Sequence, residues 1–339
     1  IISHLGRPKG VSVPELSLTP IYKYLKETLK TNVYFFRGVF DDDVNEKFSY
    51  LKGGDVILIE NIRFFKEEAE DDLNFSKKIG ALGDIYINDA FSCSHRKQAS
   101  VHSITKFVKR SFAGPLLKKE ISAINLVIEN KKEPVTCIIG GSKISTKINV
   151  ILSLIKKINN LIIVGAMANN FFTYKNFKVG KSLVEENTKE VIEDIYKKAE
   201  LNNCKILIPE DCLVGTSFDG TSKKRNLDEV KDDEIILDIG DDTIEKIKKK
   251  INESNTVLWN GPAGYFENEN FSKGTLSIAE KISKNTIEKS LLSVLGGGDT
   301  LAAINKINSK LSFSHLSTAG GAFLEYLEGK DLPGISVLK

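Results

Sequence analysis

A glycine-rich turn followed by an acid and a hydroxyl group is the segment of this sequence best suited to chemistry. An apolar run at 291–295 ends in three glycines, the last two being Gly297 and Gly298, and Asp299 and Thr300 follow before a helical pattern. Glycines let backbone N–H groups approach a ligand, and the positive end of a helix favours phosphate. A carboxylate beside phosphate requires a bridging cation, so Asp299 predicts Mg²⁺ on a nucleotide, and Thr300 is expected to donate to a phosphate oxygen. A tight strand–helix turn capped by Asp299 explains the same residues equally well.

Two lysines follow a second pair of glycines. Gly140 and Gly141 precede Lys143 and Lys147, whose spacing predicts one turn at the start of a helix and side chains that reach the same side. Two ammonium groups beside an anion-binding helix end suit a phosphoryl group in transfer. The spacing is not that of a Walker motif, and a pair of solvated surface lysines is the alternative interpretation.

A third turn also ends in a potential nucleotide contact. Gly261 and Pro262 force a turn after the apolar run at 256–259, and Glu267 lies just beyond it. A carboxylate can accept hydrogen bonds from both hydroxyl groups of a ribose, so Glu267 is a candidate for that contact. An exposed acid in a loop is the simpler structural interpretation.

The arginines of the first half predict a different kind of site. The chain has only six arginines among its 48 basic residues, so arginine is expected where lysine cannot replace its planar, bidentate group. Arg7, Arg63 and Arg96 each follow a predicted strand closely, and His4 and His95 lie near them in the sequence. We expect these residues to form a basic pocket for a small, multiply anionic substrate. Surface loops are the alternative setting, above all for Arg110 and Arg225.

Both sites require parallel strands whose carboxyl ends meet at one edge of a sheet. Short, continuously apolar runs alternate with amphipathic segments such as 144–158, a pattern typical of a doubly wound α/β fold. The predicted strands lie in the runs 33–36, 55–61, 84–91, 135–141, 161–168, 204–211, 234–240, 256–262 and 291–298.

The order of the elements predicts two lobes joined by a helix. A helical stretch at 115–130 and a charged stop at 131–134 separate two sets of strands. The polar segment 216–233 is predicted to be a surface excursion. We therefore expect a substrate-binding lobe, a connecting helix, a nucleotide-binding lobe and a segment that returns to the first lobe, at 1–113, 114–132, 133–315 and 316–339.

Composition excludes several classes of partner. Apolar residues make up 41% of the chain and charged residues 27%, which is typical of a globular protein, and the net charge is +3. That balance gives no basic stripe for nucleic acid, and no apolar run approaches the ~18 residues of a membrane span. The cysteine spacing matches neither a disulfide framework nor a zinc knuckle, so we expect a reducing cytosol, with free thiols at Cys93, Cys137, Cys204 and Cys212.

A nucleotide site in one half and a small-anion site in the other suit a kinase whose closure brings two phosphates in line and excludes water. Two other classes make different predictions. A nucleotide-binding or scaffolding protein without catalysis would bind ADP and ignore an acid substrate. A dinucleotide oxidoreductase is disfavoured, because no predicted strand is followed by G-x-G-x-x-G with an acid ~20 residues further on.

The chain resembles the phosphoglycerate kinase family along essentially its whole length. The resemblance lies, in the family's order, in SHLGRPKG, GDVILIENIRFF, INDAFSCSHR, GPLLKKE, IIGGSKIS, GKSLVEE, LWNGPAGYFE, GGGDT and FSHLSTAGGAFLEYLEGK. It implies a monomeric, cytoplasmic, hinge-bending enzyme of glycolysis with two doubly wound parallel-sheet lobes. Such an enzyme transfers the acyl phosphate of 1,3-bisphosphoglycerate reversibly to ADP with Mg²⁺, giving 3-phosphoglycerate and ATP.

The resemblance also assigns roles to individual positions. It implies a catalytic set in which one lysine stabilises the phosphoryl group in flight, comprising Lys147, Lys143 and Arg7. Substrate binding is implied for His4, Leu5, Gly6, Arg7, Arg63 and Arg96. Nucleotide binding, with the metal contact at Asp299, is implied for Lys143, Lys147, Gly240, Glu267, Gly297, Gly298, Asp299 and Thr300.

Two elements of the family have no counterpart in this sequence, which starts at Ile1. The family's first strand carries an Asp-x-Asn element that holds the glycerate, and an arginine soon after it helps to stabilise the transferred group. Losing a contact to transition-state charge costs several kcal/mol of barrier, so we expect the chain as written to bind ADP with little turnover. The missing strand is also expected to leave an unpaired sheet edge.

Overall fold

The computed structural model of the chain describes residues 1–38, 40, 46–306 and 310–338. These residues form two compact units. The first comprises Ile1–Lys118 with Asp331–Lys339, and the second comprises Lys119–Lys330. Within the described ranges, no helix combines the length and the apolar character needed to cross a membrane.

The first unit is built on two pairs of parallel strands. Its strands are β1 (Val33–Phe36), β2 (Val56–Ile59), β3 (Ile85–Asn88) and β4 (Arg110–Ala113), and its first helices are α1 (Thr19–Thr28), α2 (Lys66–Ala69) and α3 (Leu73–Gly80). β1 pairs with β2, and β3 pairs with β4. Phe75 and Ile79 are four residues apart on one face of α3, so both are buried against Ile59, Ile62 and Ile104.

A long helix follows the first set of strands, close to the predicted position. This helix, α4 (Pro115–Ile128), ends two residues before the predicted stretch does. Asp89 anchors its start, because the Leu117 N–H donates to Asp89 Oδ1 at 2.8 Å. Later in the helix, the buried Glu120 places Oε2 2.8 Å from Nε2 of the buried His315.

The second unit has a six-stranded parallel sheet and a three-stranded antiparallel sheet. Its strands are β5 (Val135–Ile139), β6 (Asn160–Ile163), β7 (Lys205–Leu207), β8 (Asp211–Gly215), β9 (Lys223–Asn226), β10 (Ile235–Ile239), β11 (Thr256–Asn260), β12 (Leu292–Gly296) and β13 (His315–Ser317). Its helices are α5 (Ile148–Ile155), α6 (Ala168–Tyr174), α7 (Lys189–Leu201), α8 (Asp241–Asn252), α9 (Lys273–Lys289), α10 (Gly298–Asn305) and α11 (Gly321–Leu327). The large sheet has the order β13-β12-β11-β5-β6-β7, and the small one β10-β8-β9.

Both faces of the six-stranded sheet are covered, as the continuously apolar runs predict. Ile138, Trp259 and Leu295 face a core that α8 and α9 complete. The alternate residues Cys137 and Leu258 point to the opposite face and are also fully buried. The doubly wound α/β architecture is therefore confirmed for this sheet.

The antiparallel sheet was not predicted. Residues 216–233 were expected to form only a surface excursion, yet they contain β9, which pairs with β8. The sequence of β9 is entirely polar, because this strand lies at the edge of the small sheet and is largely exposed. A strand without a buried face carries no apolar alternation, and the pattern used for the other strands cannot find it.

The return segment is shorter than the predicted 316–339. Residues up to Lys330 belong to the second unit, because β13 pairs with β12 and α11 packs against α5. The segment that groups with the first unit contains one further helix, α12 (Pro333–Ser336). There the Gly334 N–H donates to the Ser94 carbonyl, and Asn88 Nδ2 donates to the Gly334 carbonyl, both at 2.8 Å.

Candidate active site

Lys147 is held at the carboxyl ends of the strands in the second unit. Its Nζ donates to the Gly140 carbonyl at 2.7 Å, to Asn260 Oδ1 at 2.6 Å and, more weakly, to the Asn260 carbonyl at 3.4 Å. Burial lowers the pKa of Lys147 to about 8, and the nearby charge of Asp299 partly opposes that lowering. The ammonium group therefore loses its proton at a lower pH than an exposed lysine does.

Three glycines let the backbones around this ammonium group touch. A Cβ on Gly140 would collide with the carbonyl oxygens of Gly261 and Pro262. A Cβ on Gly165 would meet the Gly141 N at 2.7 Å. Gly165 and Gly261 also have positive φ angles, of 71° and 98°. Only glycine fits at these positions, and the close approach places two backbone carbonyls around Nζ of Lys147.

Asn260 joins the lysine to the glycine-rich turn. While its Oδ1 accepts from Lys147, its Nδ2 donates to the Gly296 carbonyl at 2.7 Å. Asn260 is nearly fully buried and is a positioning residue that the sequence analysis missed. A signal was present, since a polar residue at the carboxyl end of an otherwise buried parallel strand points into the region where ligands bind.

The glycine-rich turn forms as predicted, with a helix directly after it. Gly297 has φ of 103° and caps α10, and its missing Cβ leaves room for Asn260 Nδ2. Gly298 and Asp299 are exposed on the first turn of the helix. The free backbone N–H groups of this turn and the dipole of α10 favour an anion at this point.

Thr300 does not fit the predicted role of a phosphate donor. Its side chain is fully buried, donates to the Gly296 carbonyl at 3.0 Å and accepts from the Gly261 N–H at 2.7 Å. The only hydrogen of the hydroxyl group is thus committed to the backbone. Thr300 thereby connects the turn at Gly261 to the glycine-rich turn, and its contact with a phosphate stays a prediction.

We expect Thr300→Val to destabilise the protein by about 1–3 kcal/mol, because it leaves the buried Gly261 N–H without an acceptor. The Gly296 carbonyl keeps the donor from Asn260, so a single orphaned group sets the cost. Urea unfolding measures the effect, and Thr300→Ser is the control that retains the hydroxyl group. Equal stability of the two variants would contradict this account of Thr300.

A cavity of about 560 Å³ opens beside the turn. Glu267 and Asp299 lie in its wall, as do apolar side chains that suit the flat face of a base, among them Phe172, Leu183 and Pro209. Cavities of this size and character bind small organic ligands. The arrangement offers apolar surface for a base, a carboxylate for a ribose and an anion-binding helix end for phosphates.

Asp238 is a second residue of this cavity that the sequence analysis missed. It lies in the wall and is almost completely buried. Burial raises the pKa of Asp238 to about 7, although N–H groups of Gly274 and Ile239 donate to it. The bond to Gly274 places the carboxyl group at the start of α9, so its role is at least that of a helix anchor.

Lys143 and Gly240 occupy different settings from those predicted. Helix α5 begins only at Ile148, so Lys143 lies in the exposed loop before it and does not share a helical turn with Lys147. Its charge acts on Glu185, whose pKa is held below the usual value by hydrogen bonds from Ser145 and by Lys143, despite partial burial. Gly240 caps α8 without lining the cavity, since a Cβ there would collide with the carboxylate of Asp211.

Asp299 is the residue that fits a magnesium ion carried by a nucleotide. Among the described residues, no three His, Cys, Asp or Glu side chains group to hold a metal alone. Mg²⁺ commonly takes one or two carboxylates together with phosphates and water. The exposed carboxylate of Asp299, next to the glycine-rich turn, is chemically able to supply such a ligand.

The first unit gathers a cluster of cations. Burial and the neighbouring charges of Arg96 and Arg7 lower the pKa of Arg63, while Cys93 opposes the change. Nη1 of Arg63 donates to the Gly6 carbonyl at 3.0 Å. Arg7 and Arg96 are exposed and Arg63 is half-buried, so an anion from solvent can reach the region where the three positive charges act on one another.

Asn61 holds this cluster in place. Its Nδ2 donates to the carbonyls of Leu5 at 2.8 Å and Leu16 at 2.9 Å, and its Oδ1 accepts from the Arg63 N–H at 3.1 Å. Gly6 beside it has φ of 65°. Asn61 thus ties the loop that carries Arg7 to the backbone of Arg63.

His4, one of the two histidines predicted for this basic site, is neutral at physiological pH. Burial and the charges of Arg63 and Arg96 lower its pKa to about 4. Cys93 Sγ lies 3.7 Å from His4 Nδ1, a neighbour that sequence reasoning did not identify. The positive charge of the pocket therefore comes from its arginines.

We expect a bound anion to raise the pKa of His4 towards 6.5, because it offsets the repulsion from Arg63 and Arg96. In the free protein the unfolded chain takes up the His4 proton first, so stability decreases as the pH falls from 6.5 to about 4. NMR titration of the His4 ring with and without 3-phosphoglycerate measures the shift, and His4→Gln is the assignment control. An unchanged midpoint on addition of the acid would contradict the placement of His4 in an anion pocket.

Arg225, in contrast, is structural. Its guanidinium pairs with Glu234 through Nη2 at 2.8 Å, and both side chains are largely buried. This pair raises the pKa of Arg225 and lowers that of Glu234. The expectation of a surface loop for Arg225 is wrong, because Arg225 lies in β9 and its side chain is largely buried against Glu234.

Comparison with known proteins agrees with these features. The family model described as phosphoglycerate kinase matches residues 1–330. A phosphoglycerate kinase of Wolbachia pipientis wMel is 42% identical over 341 aligned positions, which cover 100% of this chain and 85% of that protein. One from Xanthobacter flavus is also 42% identical, with the same coverage. The structure of phosphoglycerate kinase from Coxiella burnetii superposes on this one with a TM-score of 0.86 at 38% sequence identity. The superposition covers 99% of this chain and 85% of the Coxiella chain. The chain belongs to the phosphoglycerate kinase family.

Proposed function

We propose that the protein transfers a phosphoryl group reversibly between the acyl phosphate of 1,3-bisphosphoglycerate and ADP. The observation that carries this proposal is the buried ammonium group of Lys147 beside an anion-binding turn and a nucleotide-sized cavity. Membership of the family supports the reaction and its glycolytic substrates.

The nucleotide binds in the cavity of the second unit in this proposal. Its base lies against the apolar wall, and Glu267 accepts hydrogen bonds from the ribose hydroxyl groups. Backbone N–H groups of Gly297, Gly298 and Asp299 bind the phosphates at the start of α10. Asp299 would hold a nucleotide-bound Mg²⁺ ion, which lowers the negative charge on the phosphates when it is present.

The acid substrate binds to the cation cluster of the first unit. Arg63 and Arg96 face its phosphate and carboxyl groups, and Arg7 takes part in charge stabilisation near the reacting end. His4 contributes a neutral ring, and the backbone of Leu5 and Gly6 shapes the loop.

Lys147 stabilises the phosphoryl oxygens during transfer, and Lys143 supplies a second positive charge from its exposed loop. The weakest of the three hydrogen bonds of Lys147, at 3.4 Å to the Asn260 carbonyl, is the one that a phosphoryl oxygen would replace. Transfer requires that the two bound substrates come into line with water excluded.

We also propose that the protein is a cytosolic monomer. The four cysteines are all free and buried, and burial raises the pKa of Cys204 to about 11 and that of Cys212 to about 12. Buried, protonated thiols are what a reducing compartment allows. Light scattering after size exclusion tests the monomer, whose mass is 37.6 kDa.

The central test is ATP formation from ADP and 1,3-bisphosphoglycerate in a coupled assay. We expect ATP formation that requires both substrates, that is slow in the chain as written because the family's Asp-x-Asn element has no counterpart in it, and that is lower still in Lys147→Met. Thermal shifts with MgADP but none with NAD would further exclude an oxidoreductase. Binding of MgADP without any transfer, and without a response to 3-phosphoglycerate, would instead favour a nucleotide-binding protein without catalysis.

A further inference from the structure

The second unit contains another cavity, which none of the proposed roles uses. It has a volume of about 730 Å³ and lies beside β7, the last strand of the six-stranded sheet. Its apolar lining includes Phe177, Ile206, Ile208 and the buried Leu227. The volume is within the range of cavities that bind small organic molecules.

Three lysines line the same cavity: Lys175, Lys205 and Lys250. Lys205 and Lys250 both lie in the lining, and the charges of both act on Glu253. Lys175 lies over the ring of Tyr196, with Nζ 5.9 Å from the ring centroid. The cavity therefore combines an apolar body with a cluster of positive charge.

Two acids in the lining leave this charge incompletely neutralised. Glu210 forms an ion pair with Lys246, which lies outside the described lining, so its charge is already matched. Asp228 is exposed and is the second acid of the lining. Glu253, a surface residue, pairs with Lys250 and places Oε2 2.9 Å from its Nζ. Ion pairs at the surface are weak, so another anion can replace Glu253.

The two cavities share a wall. Pro209 lines both of them, and the residues on either side of it, Ile208 and Glu210, line the second cavity. The Glu210 N–H donates to Thr243 Oγ1 at 2.9 Å, which ties this connector to α8. A ligand that shifts the connector changes the shape of both cavities.

We propose that the second cavity binds a small organic anion with an aromatic or other flat apolar body, and that its occupation changes the affinity of the neighbouring cavity for ADP. The apolar lining takes the body of the ligand, and Lys205 and Lys250 bind its anionic group. By linkage, ADP must change the affinity for the anion by the same factor. Only this coupling rests on the proposed nucleotide site; binding in the second cavity does not.

The probe is 8-anilinonaphthalene-1-sulfonate, titrated by fluorescence into the full chain with saturating MgADP present. We expect the sulfonate to bind, and we expect its uncharged counterpart N-phenyl-1-naphthylamine to bind with a Kd at least fivefold higher. The double variant Lys205→Gln with Lys250→Gln should weaken binding of the sulfonate about fivefold or more. Lys249→Gln is the matched control, since Lys249 is exposed on the same helix and lies outside the described lining.

Three outcomes would overturn the proposal: equal binding of the charged and uncharged probes, equal effects of the double variant and the control, or complete displacement of the probe by MgADP. The coupling is tested by the Kd of ADP with and without the sulfonate, which should differ at least twofold. An unchanged Kd would overturn the coupling. ATP formation by the double variant is measured separately, in the absence of the probe. A loss of ATP formation there would concern the proposed function and not the binding of the anion.

Discussion

Replacing Lys147 by Met should lower kcat by about 10²–10³-fold relative to the unchanged chain, which is the usual cost of removing one group that stabilises transition-state charge. No other cation in the described part of the second unit is held by the strand ends in the same way. The KM for ADP should change much less, because Lys147 is expected to act on the group in transfer. Steady-state kinetics of ATP formation measures both constants.

Lys143→Gln is the matched control for this variant. The acceptors around Lys147, namely the Gly140 and Asn260 carbonyls and Asn260 Oδ1, form a carbonyl cage. Lys143 is exposed and lies outside this cage, so its loss should reduce kcat by about tenfold at most. The pH profile gives a second check. The protonated form of Lys147 is the active one, so kcat/KM should decrease as the pH rises through about 8. A variant at position 147 that retains more than about a tenth of the activity would contradict the role given to this lysine.

The same variant should be more stable than the unchanged protein. Folding lowers the pKa of Lys147 from 10.5 to about 8, so the folded state binds this proton less well than the unfolded state does. The cost is present in full below pH 8 and disappears as the pH rises to about 10.5. Lys147→Met removes it, and we expect a gain of roughly 1–3 kcal/mol in the free energy of unfolding at pH 7. A loss of stability would show that the hydrogen bonds of the ammonium group outweigh its burial.

Gly140→Ala should be the most destabilising single substitution of the site. The new methyl group would meet backbone oxygens of Gly261 and Pro262, which cannot rotate away as a side chain can. We expect the protein to lose roughly 2–4 kcal/mol of unfolding free energy, within the range of severe packing defects. Activity should fall by at least tenfold even where the variant is folded, because the Gly140 carbonyl that binds Lys147 is displaced.

Gly320→Ala is the control for that substitution. Gly320 lies in the same unit, has a negative φ and has no heavy atom within 4 Å of the site of the new Cβ. Its replacement should change the unfolding free energy by less than about 1 kcal/mol. Denaturant unfolding of both variants gives the comparison, and similar losses in the two would refute the steric explanation.

The position of each ligand-binding turn could be predicted, because it depends on local pattern. A buried parallel strand reads as a continuous apolar run, and the residues after it lie at the ligand-binding edge. That reasoning located Lys147, Glu267, Asp299 and the arginines Arg7 and Arg63. All of these now lie in a cavity wall, in the carbonyl cage or in the cation cluster.

The bonding of these turns to one another could not be predicted. Whether Thr300 donates to a ligand or to the Gly296 carbonyl depends on how closely two loops approach, and no sequence spacing encodes that distance. The same holds for Asn260 and Asn61, whose partners are distant in sequence. The helical spacing of Lys143 and Lys147 also misled, because α5 begins only at Ile148, after both lysines.

The position of the Lys147 ammonium group does not depend on the side chains that line the nucleotide-sized cavity. Two of the three acceptors of the ammonium group are main-chain carbonyls, and their separation depends on glycines that touch across three loops. Side chains such as Leu183 and Phe172 in the wall of the cavity take no part in that arrangement. Substitutions in the cavity wall can therefore change which base is preferred, while the ammonium group of Lys147 stays in the same position.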